Sequence, residues 1–261
     1  MRWLASDELQ GRYYRSQEAR KVASYIATKW KNASLIPLPN ETSMFLPTDD
    51  FRDAPNVAGM YKGIDDTFVL LTAHYDHLKP RDSGKDKIYN GADDNASGTA
   101  ALIAIADALS TLQSPLQSSI VLVAFTGEEA GFVGSEYFAN NSPIPLEKIR
   151  GLINLDMISR GEPNTIFLEG ASDAPRLSMA ISKANKSVGL TIIRDRHPDW
   201  LYRSDQAPFL RKGVPAVFLS VEDHEDYHQV TDEVDKIFPE LAAKTARLAF
   251  LAACDLACHV P

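Results

Sequence analysis

Two histidines and a handful of acids recur in this chain just past runs of strand-like apolar residues. His74 follows LLTA, Asp93 lies in NGADDNASG, Glu128 and Glu129 follow AFTG, Asp156 ends LINLD, and His228 falls in EDYHQVTD. Imidazole nitrogens and carboxylate oxygens are ligands that zinc accepts. One such residue says little. Several delivered to equivalent structural positions suggest a pair of zinc sites.

The spacing refines this. His74 and Asp76 are two residues apart, so in extended chain both side chains leave the same face. Asp76 can then take the second imidazole N–H, which orients a zinc-bound histidine and raises its basicity. His77 points to the opposite side and is expected to be structural or solvent-facing. Of Asp93 and Asp94, one carboxylate can bridge two cations about 3.5–4 Å apart. The plain alternative is an N-cap for the helix that follows, and the two residues can divide these tasks. Glu128 and Glu129 sit in a turn and point in different directions. One can ligate while the other serves a metal-activated water as general base; a solvated acidic pair at a helix start is the simpler reading of GEE alone. Asp156 closes an apolar strand, where a carboxylate is rarely buried without a partner or a metal. His228 is preferred to His224 because a helix start near Asp232 would hold its loop.

These residues need a scaffold that gathers them. Ala19, Val22, Ala23, Ile26 and Trp30 form one stripe of a helix expected over residues 17–32. NVAGMYKG, TFVLLTAHYD, SSIVLVAFT, RGLINLDM, TIFLE and PAVFLSV read as strands. Between them helices are expected over 95–112, in GFVGSEYFANN, over 174–188 and over 232–258. Alternating β and α with continuous apolar strands predicts an α/β fold: a mixed, mostly parallel central sheet with helices on both faces, in three layers. Ligands of such sheets bind at the carboxyl ends of the strands, where these candidates fall. No linker, repeat or low-complexity tract divides residues 1–261, so one domain is expected.

Composition excludes some classes. The net charge of −8 argues against nucleic acid or an anionic membrane surface as the main partner. No stretch is apolar and long enough to span a bilayer. The two cysteines, Cys254 and Cys258, share one face of the last helix and read as plain thiols; with the following His259 they would still lack a fourth ligand. The opening MRWLASDELQGR reads as the middle of a helix, so upstream residues including an export signal are expected, and with them an extracytoplasmic location. Asn32, Asn40 and Asn185 match the glycosylation pattern, which is too common to place the chain.

Taken together, LASDELQGR, AHYDH, GADDNASG, FTGEEAGFVGS, NLDM, RSDQAPFLRKGVPAVFL and DYHQVTDEVDKI resemble the family 28 metallopeptidases. These are co-catalytic di-zinc aminopeptidases that include bacterial leucyl aminopeptidases and aminopeptidase Y. The resemblance implies the zinc exopeptidase fold, two zinc ions per chain and peptide substrates with a free N-terminus. It implies one zinc on His74 and Asp156, the other on Glu129 and His228, and Asp93 as the bridge. Glu128 would be the general base and then the proton donor to the leaving amine, with Asp76 behind His74. The Asp93–Asp94 peptide would be cis. Ser204 and Asp205 match a position near the site, and Tyr202, Tyr227 and Met157 would line the substrate pocket, Tyr227 as a wall.

There are departures from that pattern. The chain has no room for the protease-associated insert of many relatives. Trp200, Leu201, Tyr202 and Arg203 stand where some members carry pocket cysteines, and Arg203 would favour substrates with an acidic group. Within the fold the rival is a glutaminyl cyclase with one zinc, and a carboxypeptidase or amidohydrolase stays open. A metal-free binding ectodomain is the remaining class, and the intact ligand set speaks against it.

Overall fold

In the computed structural model, which describes residues 1–258, the apolar runs become a sheet of eight strands. They are β1 (Phe45–Leu46), β2 (Asn56–Tyr61), β3 (Phe68–His74), β4 (Ser119–Phe125), β5 (Ile149–Leu155), β6 (Thr165–Glu169), β7 (Thr191–Arg194) and β8 (Ala216–Ser220). Their order across the sheet is β1-β2-β4-β3-β5-β8-β6-β7. The central four, β4, β3, β5 and β8, run parallel. β2 joins β4 and β6 joins β8 antiparallel. The mixed, mostly parallel sheet is the one expected.

Helices α1 (Gln17–Asn32), α2 (Gly98–Leu109), α3 (Val133–Asn140), α4 (Pro175–Val188), α5 (Gln206–Arg211) and α6 (Pro239–Cys258) cover both faces. Alternation along each strand sorts the core. Val69, Leu71 and Ala73 of β3 join Ile120, Leu122 and Ala124 of β4 against α1, α2, α4 and α6. Phe68 and Leu70 with Val121, Val123 and Phe125 face Phe138 of α3 and Phe209 of α5. Every residue of β3 and β4 is buried, which explains why these strands read as unbroken apolar runs. Each large apolar side chain so buried contributes about 1.5–3 kcal/mol, enough to hold the strand ends in place.

The chain reverses between β3–β4 on one side and β5–β8 on the other, so the loops leaving these four strands face one another across a crevice. Several boundaries differ from the sequence reading. The opening residues are turns and a short 3₁₀ stretch, Asp7–Arg12, rather than a helix. α2 begins at Gly98, because residues 92–97 form a separate wide turn. α6 begins at Pro239 instead of residue 232, because Asp232 is instead buried against the backbone of Asp93 and Asp94. Both cysteines are free thiols, and His259 lies outside the described residues. Among those described, no helix is long and apolar enough to cross a membrane.

Candidate metal centre

The crevice is built from strand exits. His74 is the last residue of β3 and Asp156 follows β5 by one. His74 Nε2 lies 3.1 Å from Asp156 Oδ1 and 3.3 Å from Asp94 Oδ1. The other oxygen of Asp94 faces a second group: Oδ2 is 3.2 Å from His228 Nε2 and 3.7 Å from His77 Nδ1. Glu129 closes that group, with Oε1 2.6 Å from His77 Nδ1 and Oε2 3.1 Å from His228 Nε2. One ligand atom each from His74, Asp94 and Asp156 lies within 4.8 Å of the others, and the same holds for His77, Asp94 and Glu129. A single buried carboxylate thus faces imidazoles on both sides.

That carboxylate is Asp94, and the expectation for Asp93 is corrected. Asp93 Oδ1 accepts from the Ser159 backbone N–H and hydroxyl, both at 2.7 Å, and Oδ2 lies 3.1 Å from His224 Nε2. Its acceptors are committed to the protein. The reason for the exchange lies in the turn. Gly91, at φ +53, leaves β-carbon space that would be only 2.1 Å from the Asp94 carbonyl oxygen and 2.6 Å from the His77 ring; only glycine permits this approach. Asp232 then accepts from the backbone N–H groups of Asp93 and Asp94 at 3.1 Å. So held, the turn aims Asp94 inward. The cis peptide also lies one residue later than expected, at Asp94–Asn95.

His77 is a second correction. Far from solvent-facing, it is buried and its Nδ1 meets Glu129, on the same side of the crevice as the metal-ligand candidates. Asp76 lies next to His74, but the contact expected from its carboxylate is made by its backbone. His74 Nδ1 lies closer to the Asp76 carbonyl oxygen, 3.2 Å, than to its carboxylate, 3.7 Å. Asp76 Oδ1 accepts instead from the Glu128 backbone N–H at 3.2 Å, so one residue braces both His74 and the base candidate.

Glu128 belongs to neither group of ligand candidates. Burial, followed by the neighbouring carboxylates Asp156 and Asp205, raises its carboxyl well above the usual range, though His74 pulls the other way. Burial lowers His74, but Asp156 and Glu128 outweigh that and raise it well above an ordinary histidine. His228 is likewise raised to about 10; burial opposes this, and hydrogen bonds to Asp94 and Glu129 prevail. Imidazoles pressed so closely on carboxylates hold protons that a divalent cation would displace. The donor set, two histidine-and-carboxylate clusters sharing one carboxylate, fits zinc.

Support comes from polar residues around the two groups: Ser204 and Asp205, already placed near the site by the resemblance, and Asp226, which local sequence did not single out. Ser204 donates to Asp156 Oδ2 at 2.7 Å and accepts from Asn154 at 2.9 Å. Asp226 takes Arg160 at 2.8 Å and Lys236 at 2.6 Å, fixing the loop that carries His228. Asp205 is buried nearby, its carboxyl raised to about 7 chiefly by burial. Of the pocket candidates, Tyr227 stacks on His228 with ring centroids 3.9 Å apart. Met157 is buried beside Asp156. Tyr202 is 54% exposed on the 3₁₀ stretch Pro198–Tyr202.

Known proteins share this arrangement of chain. The model of peptidase family M28 matches residues 56–253. Among curated relatives, leupeptin-inactivating enzyme 1 of Streptomyces exfoliatus is 30% identical over 61% of this chain and 34% of its own length. A probable zinc metalloprotease of Leptosphaeria maculans is 26% identical over 88% of this chain and 58% of its own. The chain therefore spans between about a third and three-fifths of the length of these relatives. Among solved structures, the LapA aminopeptidase of Legionella pneumophila superposes with a TM-score of 0.81 at 18% identity, over 99% of this chain and 71% of that one. Glutaminyl cyclase of Porphyromonas gingivalis gives a TM-score of 0.74 at 20% identity, over 94% and 92%. At these identities the structures share the fold alone.

Proposed function

Since the chain belongs to peptidase family M28, we propose that it is a two-zinc aminopeptidase that removes N-terminal residues from peptides. One observation carries the reading: Asp94 turns its two oxygens toward two histidine–carboxylate groups, while Glu128 stands beside them outside both. His74 and Asp156 would hold one zinc, Glu129 and His228 the other, and Asp94 both. Bound there, zinc supplies a Lewis acid for the scissile carbonyl and lowers the pKa of the attacking water.

The remaining work falls to side chains of this chain. Glu128 takes a proton from the attacking water on its carboxylate and passes it to the nitrogen of the leaving amine. The hydrogen bond from its backbone N–H to Asp76 holds the GEE turn in reach. Asp76 and Ser204 keep His74 and Asp156 in their orientations, as residues behind metal ligands do. Tyr227, stacked on His228, walls the place where the substrate side chain would rest, and Met157 adds apolar surface next to Asp156.

The single-zinc cyclase reading draws on the likeness of fold to the Porphyromonas enzyme. The second histidine–carboxylate group favours two metals over one. Hydrolysis of aminoacyl-4-nitroanilides, abolished by a chelator and restored by zinc, is the test. A chelator-insensitive protein, or one that forms pyroglutamate instead, would overturn the proposal.

A further inference from the structure

Arg12 lies in the opening segment, outside both ligand groups, yet it is one of the largest fully buried side chains. Every hydrogen bond described for its guanidinium goes to a backbone carbonyl. Nε donates to Tyr75 at 2.9 Å, Nη1 to Leu4 at 2.5 Å and Asn90 at 2.7 Å, and Nη2 to Gly91 at 3.1 Å. Tyr75 stands between His74 and Asp76; Gly91 lies three residues before Asp94. One planar group therefore ties the exit of β3 to the turn that carries Asp94, and both to the N-terminal segment.

The backbone that places it is shaped for this. Gln10, Gly11 and Arg12 all adopt positive φ, at 46°, 76° and 56°. A β-carbon on Gly11 would sit 2.3 Å from the Leu78 carbonyl oxygen and 3.0 Å from that of Tyr89, so the turn is pressed onto the same two segments. Asn90 adds a second tie, donating to Asp7 and to Glu233, both at 2.9 Å. A buried cation without a directly paired carboxylate is costly unless its donors are satisfied and opposite charge is near. Four carbonyls meet the first condition. The field of Asp94, Asp76, Asp232 and Glu129 meets the second.

We propose that Arg12 is a positioning residue of the metal centre, clamping the His74–His77 strand exit to the Gly91–Asp94 turn and setting a permanent positive charge beneath its carboxylates. The inference rests on the two-zinc reading. Lysine cannot replace it, because three donors on one nitrogen do not reach carbonyls on three separate segments as the guanidinium fork does.

Zinc affinity, measured by competition with a chromogenic chelator, tests this in Arg12→Lys beside Leu9→Ala. Leu9 is fully buried in the same segment, so its truncation destabilises the segment without touching the guanidinium. Arg12→Lys is expected to bind zinc about tenfold or more weakly, the size of effect seen when groups behind metal ligands are lost. Leu9→Ala, compared where both proteins are folded by circular dichroism, is expected to keep the unmodified affinity. A second arm uses the unmodified chain and does not depend on Arg12→Lys folding. Adding zinc to the metal-free protein should slow amide exchange at Ala5, Leu9 and Ser16, whose N–H groups are bonded within the segment, along with exchange in residues 74–78 and 91–97. Unmodified zinc affinity in Arg12→Lys, an equal loss in Leu9→Ala, or exchange in the opening segment indifferent to zinc would overturn the inference. An unmodified protein that binds no zinc would instead overturn the functional reading beneath it.

Discussion

Exchanging Asp94 and Asp93 for asparagine, one at a time, separates the two neighbours that the sequence alone leaves confusable. Asp94 presents an oxygen to each side, 3.3 Å from His74 Nε2 and 3.2 Å from His228 Nε2. An amide can offer an oxygen to one side only and must turn an NH₂ group to the other, with the loss of a full negative charge. One metal should lose a ligand, and its affinity should fall at least about 100-fold, near 2.8 kcal/mol at about 1.4 kcal/mol per tenfold. Asp93 is different. An amide there keeps the oxygen that accepts from Ser159 at 2.7 Å and forfeits the contact with His224 at 3.1 Å. That contact is a hydrogen bond to a charged group, so stability should drop by about 1.5–3 kcal/mol, with zinc affinity weakened by about tenfold, the low end of what groups behind metal ligands cost. Calorimetric zinc titration of both variants, with thermal unfolding in parallel, decides. Asp93→Asn binding one zinc while Asp94→Asn binds two would refute the assignment.

Other outcomes follow from the same geometry. Glu128→Gln keeps shape and removes the proton acceptor, so kcat should fall by about 10²–10⁴-fold while zinc content stays as in the unmodified chain; unchanged kcat would exclude Glu128 as base. Ser204→Ala deletes the 2.7 Å hydrogen bond to Asp156, and zinc affinity should weaken about tenfold in chelator competition. The Asp226 carboxyl is held below the usual carboxylate range; burial pushes it up, but Lys236, Thr231 and Arg160 outweigh burial. A carboxyl lowered by folding stabilises at pH values above its ordinary pKa of about 3.9, and that stability is lost as pH falls. Asp226→Asn should therefore melt below the unmodified protein at pH 7, and the gap should close as pH drops beneath about 4. A gap that persists or widens in acid would contradict the pairing.

How much of this was legible in the sequence depends on where each residue takes its orders. β3 and β4 are plain because both faces are covered, so apart from Thr72, His74 and Ser119 every position is apolar. β7, with exposed and half-buried residues along its whole length, carried no comparable signal. His74 and Asp156 stand at strand exits, which is why they are legible. His228, by contrast, lies in a loop held by the Asp226 ion pairs rather than by the helix start expected near Asp232. Asp93 and Asp94 were not separable by local rules, since either suits a helix cap. Their orientation is set by Asp232, His224 and Ser159, which lie between 66 and 139 residues away in sequence. The same demand explains α6: the stretch expected as its first two turns is spent on Asp232, which grips the turn, and Lys236, which grips Asp226. His77 was misjudged because strict alternation stops where β3 ends at His74. Arg12 closes the LASDELQGR motif, but nothing in QGR says that a cation will be buried among carbonyls.

The most direct test of the central claim is a zinc titration of the metal-free protein that follows hydrolysis of an aminoacyl-4-nitroanilide at each addition. Two tightly bound equivalents per chain, with hydrolysis rising as both sites fill, is the predicted result. Saturation at a single equivalent, with no nitroaniline released and pyroglutamate formed from a peptide bearing N-terminal glutamine, would contradict it.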